Sequence, residues 1–99
     1  MIRHIVAWKL TAEDAEGKAA SIAAMAGALE PLAAVIGGIV SLTVRPNVAH
    51  FDANWDVVLV GDYESLDALD AYQVHPEHVA AVAIVRQHTA QRVAVDYEL

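Results

Sequence analysis

Two side chains that can move a proton near neutral pH stand at the ends of the segment 72–78. A neutral His78 imidazole can abstract or return a proton, and a position near a helix N-terminus disfavours its charged form. The Tyr72 hydroxyl can orient a substrate carbonyl. His4 shares a strand face with Val6 and Trp8. We therefore predict a pocket lined by His4, Tyr72 and His78 that performs proton-transfer chemistry on a small apolar molecule bearing a carbonyl.

The same side chains also have purely structural interpretations. His78 can hydrogen-bond a neighbouring backbone group, and Tyr72 and His4 can be core residues whose polar atoms are satisfied. His75 precedes Pro76, which favours an extended conformation, so we expect it to cap the following turn. His75 and His78 could ligate a metal, but Pro76 breaks the alignment of their rings and no further ligands are evident. We predict neither a metal site nor a cofactor.

Composition restricts the class of protein. A chain of 99 residues supports one core, so we expect a single domain over residues 1–99. Thirteen acidic side chains against six basic ones argue against nucleic acid and anionic membranes as partners. The absence of cysteine excludes disulfides and thiolate chemistry. No uncharged run reaches the length of a membrane span and no signal peptide is recognisable, so a cytoplasmic location is expected.

Hydrophobic periodicity predicts six elements in the order strand, helix, strand, strand, helix, strand. Thr11 is expected to start the first helix, and Ser65 is expected to cap the second, which Pro76 interrupts. The predicted strands cover residues 2–10, 39–45, 55–60 and 91–97. The predicted apolar stripe of the first helix consists of Ala15, Ile22, Met25, Leu29 and Leu32. That of the second consists of Leu66, Leu69, Tyr72, Val79 and Val82, and it can extend to Val85.

This order is typical of an α+β, ferredoxin-like split βαβ fold (βαββαβ), with a four-stranded antiparallel sheet and both helices on one face. Ile5, Ala7 and the apolar run 57–60 leave the second face of the sheet apolar as well. Two such faces cover each other when two copies pair. A twofold homodimer, forming a dimeric α+β barrel, is therefore expected.

Four fragments together resemble the stress-responsive dimeric α/β-barrel (Dabb) family: RHIVAWKL at 3–10, NWDVVL at 54–59, YQVHPEH at 72–78 and VDY at 95–97. The resemblance implies a homodimeric barrel. One plant branch of that family contains a polyketide cyclase that performs an intramolecular aldol condensation without a cofactor, and its strand-one His, helix Tyr and acid/base His resemble His4, Tyr72 and His78. Two positions depart from the cyclase: Val57 stands where it has a His, and the stretch around Gly27 lacks its first-helix Tyr.

Two functions are carried forward. The first is a stress-responsive dimeric barrel protein that binds a small apolar carbonyl-bearing molecule and performs cofactor-independent acid/base chemistry of a cyclase-like or lyase-like kind. The second is a non-enzymatic, stress-associated homodimer that binds or sequesters a ligand or partner. A cavity closed to solvent would favour the second.

Overall fold

Strands and helices alternate along the chain, and the structure, a computed structural model, describes all 99 residues. The four strands form one antiparallel sheet in the order β2-β3-β1-β4. This confirms the ferredoxin-like βαββαβ arrangement, with each predicted helix divided in two. The elements are β1 (Ile2–Leu10), α1 (Ala15–Leu29), α2 (Leu32–Val35), β2 (Ile39–Pro46), β3 (Val57–Tyr63), α3 (Leu66–Val74), α4 (Pro76–Arg86) and β4 (Thr89–Glu98).

The central strands β1 and β3 present one face to the helices. Because side chains alternate along a strand, every second residue of β1 from His4 to Leu10 is buried. His4 lies directly across from Gly61 on β3, and Trp8 lies across from Val57. The helix-facing row of β1 thus places one imidazole among apolar side chains, as predicted.

The first helix does not start at Thr11. Asp14 caps it, because its Oδ1 accepts a hydrogen bond of 2.7 Å from the Gly17 N–H. Thr11 instead donates both its N–H and its hydroxyl to the carbonyl of His88, at 3.0 and 3.3 Å. Thr11 therefore joins the end of β1 to the turn between α4 and β4.

The apolar stripe of the first helix is shifted from its predicted position. Ala15 is exposed and Ile22 only partly buried, whereas Ser21, Met25 and Leu29 face the core. By length and composition the stretch Ala15–Val35 could cross a membrane, with a mean hydropathy of 1.2 over the window tested. In the structure this stretch forms two helices, α1 ending at Leu29 and α2 beginning at Leu32, and it packs against the sheet. The prediction of no membrane partner stays a prediction.

The bend at Pro76 follows the sequence prediction. The Ser65 Oγ accepts from the Ala68 N–H at 3.1 Å, which caps α3. His75 ends α3 and caps α4, since its Nδ1 accepts from the Glu77 N–H at 3.1 Å. Pro76 occupies the first turn of α4, where its missing N–H costs nothing. Two stripe residues were predicted wrongly: Leu66 and Val79 are exposed, and the buried side chains are those of Leu69, Tyr72, Ala81 and Val85.

The bounds of three strands differ from prediction. β2 and β4 are longer than expected, and β3 begins at Val57 and continues to Tyr63. Trp55 lies outside β3, and the neighbouring Asp56 turns its carboxylate toward β1, where Oδ2 accepts from the Leu10 N–H at 2.8 Å. The extension of β3 matters for the site, since it delivers Tyr63 to the helix-facing side.

The second face of the sheet carries an uncovered apolar surface. On β4, Val93 and Val95 are 47% and 60% exposed. They lie directly across from Ala7 and Ile5 on β1, so the four side chains share this face. We call this set the open face. Its exposure in one chain agrees with the sequence argument that the face needs a cover.

Candidate functional site

A cavity of about 730 Å³ lies between α4 and the helix-facing side of β1 and β4. Most of its lining is apolar. His4, Tyr72 and His78, the three residues singled out from the sequence, all line it. The fold therefore brings together a strand residue and two helix residues that are far apart in the chain.

Four rings form a row from the sheet to α4. The centroids of His4 and Tyr63 are 6.1 Å apart, those of Tyr63 and Tyr72 are 5.1 Å apart, and those of Tyr72 and His78 are 4.1 Å apart. The Tyr72 and His78 rings are tilted by 44°. Tyr72 belongs to α3 and His78 to α4, so the bend at Pro76 sets this close approach.

His78 is arranged as a neutral base. Its Nδ1 lies 3.1 Å from the carbonyl oxygen of Gln73, which can only accept, so Nδ1 carries the proton. The lone pair of the other ring nitrogen, Nε2, is thereby left free. Burial lowers the pKa of His78, and the positive field of Arg92 adds to this, against the opposing effect of the Gln73 carbonyl. The imidazole is consequently uncharged at neutral pH.

Tyr72 is arranged as a hydroxyl donor. Only 1% of the residue is exposed, and burial raises the pKa of its hydroxyl, although Tyr63 and Arg92 act in the opposite direction. The hydroxyl therefore keeps its proton across the physiological pH range. A neutral phenol and a neutral imidazole with adjacent rings supply one donor and one acceptor, the two groups needed to polarise a carbonyl and remove a neighbouring proton.

His4 is 4% exposed and is held by a carboxylate from β4. Its Nδ1 forms a very short contact with Oδ1 of Asp96, which lies directly across from it in the sheet. A carboxylate at Nδ1 fixes the ring orientation and directs the Nδ1 proton away from the cavity. Asp96 was missed as a site residue, because its closeness to His4 follows from the strand register and not from any local pattern.

Tyr63 is a second residue that the sequence argument missed. It is fully buried, packs between His4 and Tyr72, and its hydroxyl has no hydrogen-bond partner. The signal was present in the alternation of Val57, Leu59, Gly61 and Tyr63, which continues past the predicted end of β3 at residue 60. Burial raises the pKa of Tyr63, so it stays neutral.

Gly61 makes room for the Tyr63 ring. A Cβ at position 61 would lie 2.8 Å from Cε1 of Tyr63 and 2.9 Å from Cδ1 of Leu42. We expect Gly61→Ala to lower the free energy of unfolding by about 1–3 kcal/mol, because buried neighbours must shift. Urea denaturation measures this change.

The matched control for that substitution is Gly27→Ala, at a helical position where an added Cβ meets nothing within 4 Å. This variant is expected to be about 0.5–1 kcal/mol more stable than the wild type, since alanine favours the helix. Equal effects of the two substitutions would contradict the steric role of Gly61.

The remaining candidates lie outside the cavity or form no site. His75 is a helix cap, as predicted, and it does not line the cavity. No group of three or more histidine, cysteine, aspartate or glutamate side chains is placed to hold a metal ion. The polar groups that line the cavity are imidazole, phenol, guanidinium, amide and hydroxyl groups.

Comparison with solved structures supports the fold. A dimeric protein of unknown function with a ferredoxin-like fold, from Bacteroides fragilis, is 33% identical over 99% of this chain and 95% of its own, with a TM-score of 0.87. A dimeric ferredoxin-like protein from Thermobifida fusca is 29% identical, covering 99% and 90% with a TM-score of 0.77. A Dabb family protein from Mesorhizobium loti is 18% identical, covering 99% and 95% with a TM-score of 0.77.

Among curated proteins, no significant match to the chain is found. The sequence matches the stress responsive A/B barrel domain over residues 2–99, which is nearly its whole length. This match and the similarity to the solved structures confirm the resemblance seen in the four sequence fragments. The chain belongs to the stress responsive A/B barrel (Dabb) family.

Proposed function

We propose that the protein is a homodimer in which each copy binds a small apolar carbonyl-bearing molecule and catalyses proton transfer on it without a cofactor. One observation carries the proposal: the Tyr72 and His78 rings lie 4.1 Å apart on the wall of a largely apolar cavity. The dimer rests on the uncovered open face and on relatives that are described as dimeric. We propose that it is a single-domain cytoplasmic protein. Its acidic net charge supports the proposal that it binds neither nucleic acid nor membranes.

The reaction begins with the ligand carbonyl accepting a hydrogen bond from the Tyr72 hydroxyl. His78 Nε2 then removes a proton from the carbon beside that carbonyl, and the electron pair moves to the oxygen to give an enolate. The Tyr72 hydroxyl stabilises this oxyanion by its hydrogen bond. The enolate carbon attacks a second carbonyl of the same ligand, which is cyclase-like, or expels a leaving group, which is lyase-like. The imidazolium returns its proton to the product oxygen or to the leaving group.

The alternative, a non-enzymatic ligand-binding homodimer, remains the second candidate. It requires the same three side chains only to complete hydrogen bonds, and a closed cavity would favour it. Two features weigh for catalysis. Val79 lines the cavity and is 58% exposed, so the cavity opens to solvent beside α4. The hydrogen bond to Gln73 also leaves Nε2 of His78 unused by the protein.

Deuterium exchange tests the proposal without knowledge of the natural substrate. Methyl octyl ketone and 9-oxodecanoate carry a methyl ketone on an apolar chain, and NMR follows loss of the protons beside the carbonyl in heavy water. The wild type is expected to accelerate exchange, and Tyr72→Phe to slow the catalysed rate about 100-fold, because a carbonyl donor is lost while the ring packing remains. Thermal unfolding checks that the variant folds.

Two outcomes would count against catalysis. If the wild type binds the ketones but exchanges none of them, the binding alternative is favoured. If Tyr72→Phe exchanges as fast as the wild type, the hydroxyl has no part in the reaction. Saturation of exchange with ketone concentration distinguishes a reaction in the cavity from surface catalysis.

A further inference from the structure

The positive side chains of this acidic chain are distributed unevenly. Of six basic residues, three are paired with carboxylates: Arg3 with Asp62 at 2.8 Å, Lys18 with Asp56 at 2.9 Å and Arg45 with Glu30 at 3.4 Å. The Lys9 ammonium lies 5.3 Å from the Trp55 ring centroid. The two that remain are Arg86 and Arg92. Neither pairs with a carboxylate, although the chain has thirteen acidic residues.

Both of these arginines line the cavity, and no aspartate or glutamate does. The only two side chains with a fixed charge that line the cavity are therefore both positive, in a protein whose net charge is −7. Both side chains are exposed, so their donors are available to a solute. A guanidinium presents a planar fork of donors that matches a carboxylate or a phosphate.

The backbones of the two arginines are set apart from those of His4 and His78 along both walls of the cavity. On α4, His78 and Arg86 are eight residues apart, or roughly 12 Å at 1.5 Å per residue. On the sheet, Arg92 lies across from Trp8, four residues along β1 from His4, or roughly 13 Å. On each wall of the cavity, a histidine and an arginine are therefore separated by a similar backbone distance. These pairs define a histidine end and an arginine end.

Apolar side chains lie between the two ends, among them Val6 on β1 and Val82 on α4. The charge of Arg92 still reaches the reaction centre, since it lowers the pKa of both Tyr72 and His78. The lining thus changes from hydrogen-bonding groups, through an apolar middle, to a cationic end. An elongated molecule with a hydrogen-bonding group at one end, an apolar middle and an anionic group at the other end complements these three parts of the lining.

We propose that the cavity selects an elongated, apolar ligand with an anionic group, which Arg86 and Arg92 bind while the carbonyl lies at Tyr72 and His78. The inference rests on the proposed function for the position of the carbonyl. The recognition of the anion is a separate property of the arginines, and it can be measured as binding alone.

Calorimetric titration of 9-oxodecanoate against its neutral methyl ester tests the inference. The wild type is expected to bind the acid about tenfold more tightly in low salt, and the preference is expected to shrink as salt screens the charges. Arg86→Gln and Arg92→Gln should each reduce the preference, and the double variant should remove it. Arg45→Gln is the matched control, because that exposed arginine pairs with Glu30 outside the cavity.

A decyl phosphate titration shows which anion fits better, because tighter binding than the carboxylate identifies a phosphoryl ligand and weaker binding a carboxylic acid. Equal affinity of the wild type for the acid and the ester would overturn the inference, as would an unchanged preference in the double variant. His78→Gln separates the two proposals. This variant should keep the preference for the anion and lose deuterium exchange. A wild type that prefers the anion but catalyses no exchange would contradict the proposed catalysis and leave the proposed anion binding intact.

Discussion

Replacing His78 by glutamine is expected to reduce catalysed deuterium exchange by about 1000-fold, within the range of 10² to 10⁴ typical of a lost general base. Glutamine has about the length of histidine, and its amide lies near the position of Nε2, whereas the hydrogen bond from Nδ1 to the Gln73 carbonyl is lost. It has no group that accepts a proton at neutral pH. The loss should therefore appear in the rate constant for exchange, with little change in the affinity for the ketone.

The pH dependence gives an independent measure of the same group. Burial lowers the pKa of His78 below its usual value of about 6.5, with smaller contributions from His4, Arg92 and His75. The base is active when deprotonated, so exchange should rise with pH through that lowered pKa and reach a plateau before pH 7. The raised pKa of Tyr72 predicts no decline below about pH 10.

The free energy of unfolding should also depend on pH through His78, and the direction of that dependence follows from its lowered pKa. In the folded state His78 has the lower pKa, so between that value and about pH 6.5 the unfolded chain binds more protons. The free energy of unfolding attributable to His78 therefore falls as the pH decreases through this window. His78→Gln should remove that part of the pH dependence, as measured by urea denaturation at a series of pH values.

His50→Asn is the matched control for these experiments. His50 is exposed and has a φ of 48°, a left-handed conformation that asparagine tolerates well. The variant removes one histidine without touching the cavity, and both its exchange rate and its pH profile should match the wild type. Full activity of His78→Gln, or an equal loss in His50→Asn, would rule out His78 as the base.

The fold was largely predictable because its signals are local and periodic. Alternation along β1 and the cap at Ser65 are visible in the sequence, and each predicted the correct element. One error occurs where two residues compete for the same role. Thr11 and Asp14 can both cap the first helix, and only the backbone path, which turns Thr11 toward His88, decides between them.

The site was predictable only in part, because its remaining members depend on register. His4 and Tyr72 were identifiable as polar groups on buried faces. Asp96 reaches His4 through the pairing of β1 with β4, and Arg92 enters the cavity through the same pairing, four residues earlier on β4. Strand register is a long-range property, and no local pattern in residues 91–97 specifies which side chain of β1 each residue meets.

Val95→Glu is expected to convert the homodimer to a monomer. Val95 is 60% exposed in one chain and lies across from Ile5 on the open face, so the proposed pairing of two open faces buries it. A carboxylate there would be desolvated without a partner, and twofold symmetry places it in the interface twice. Even ~2.7 kcal/mol raises the dissociation constant about 100-fold. Size-exclusion chromatography with light scattering measures the mass at micromolar concentration.

Val48→Glu makes the same chemical change in the loop between β2 and β3, away from the open face, and should leave the dimer intact. Because helices and cavity lie on the other side of the sheet, a folded Val95→Glu monomer also shows whether each copy has a complete site. Binding of 9-oxodecanoate that survives in the monomer places the whole site within one chain. A wild type with the mass of one chain would contradict the pairing, and the open face would then need another cover.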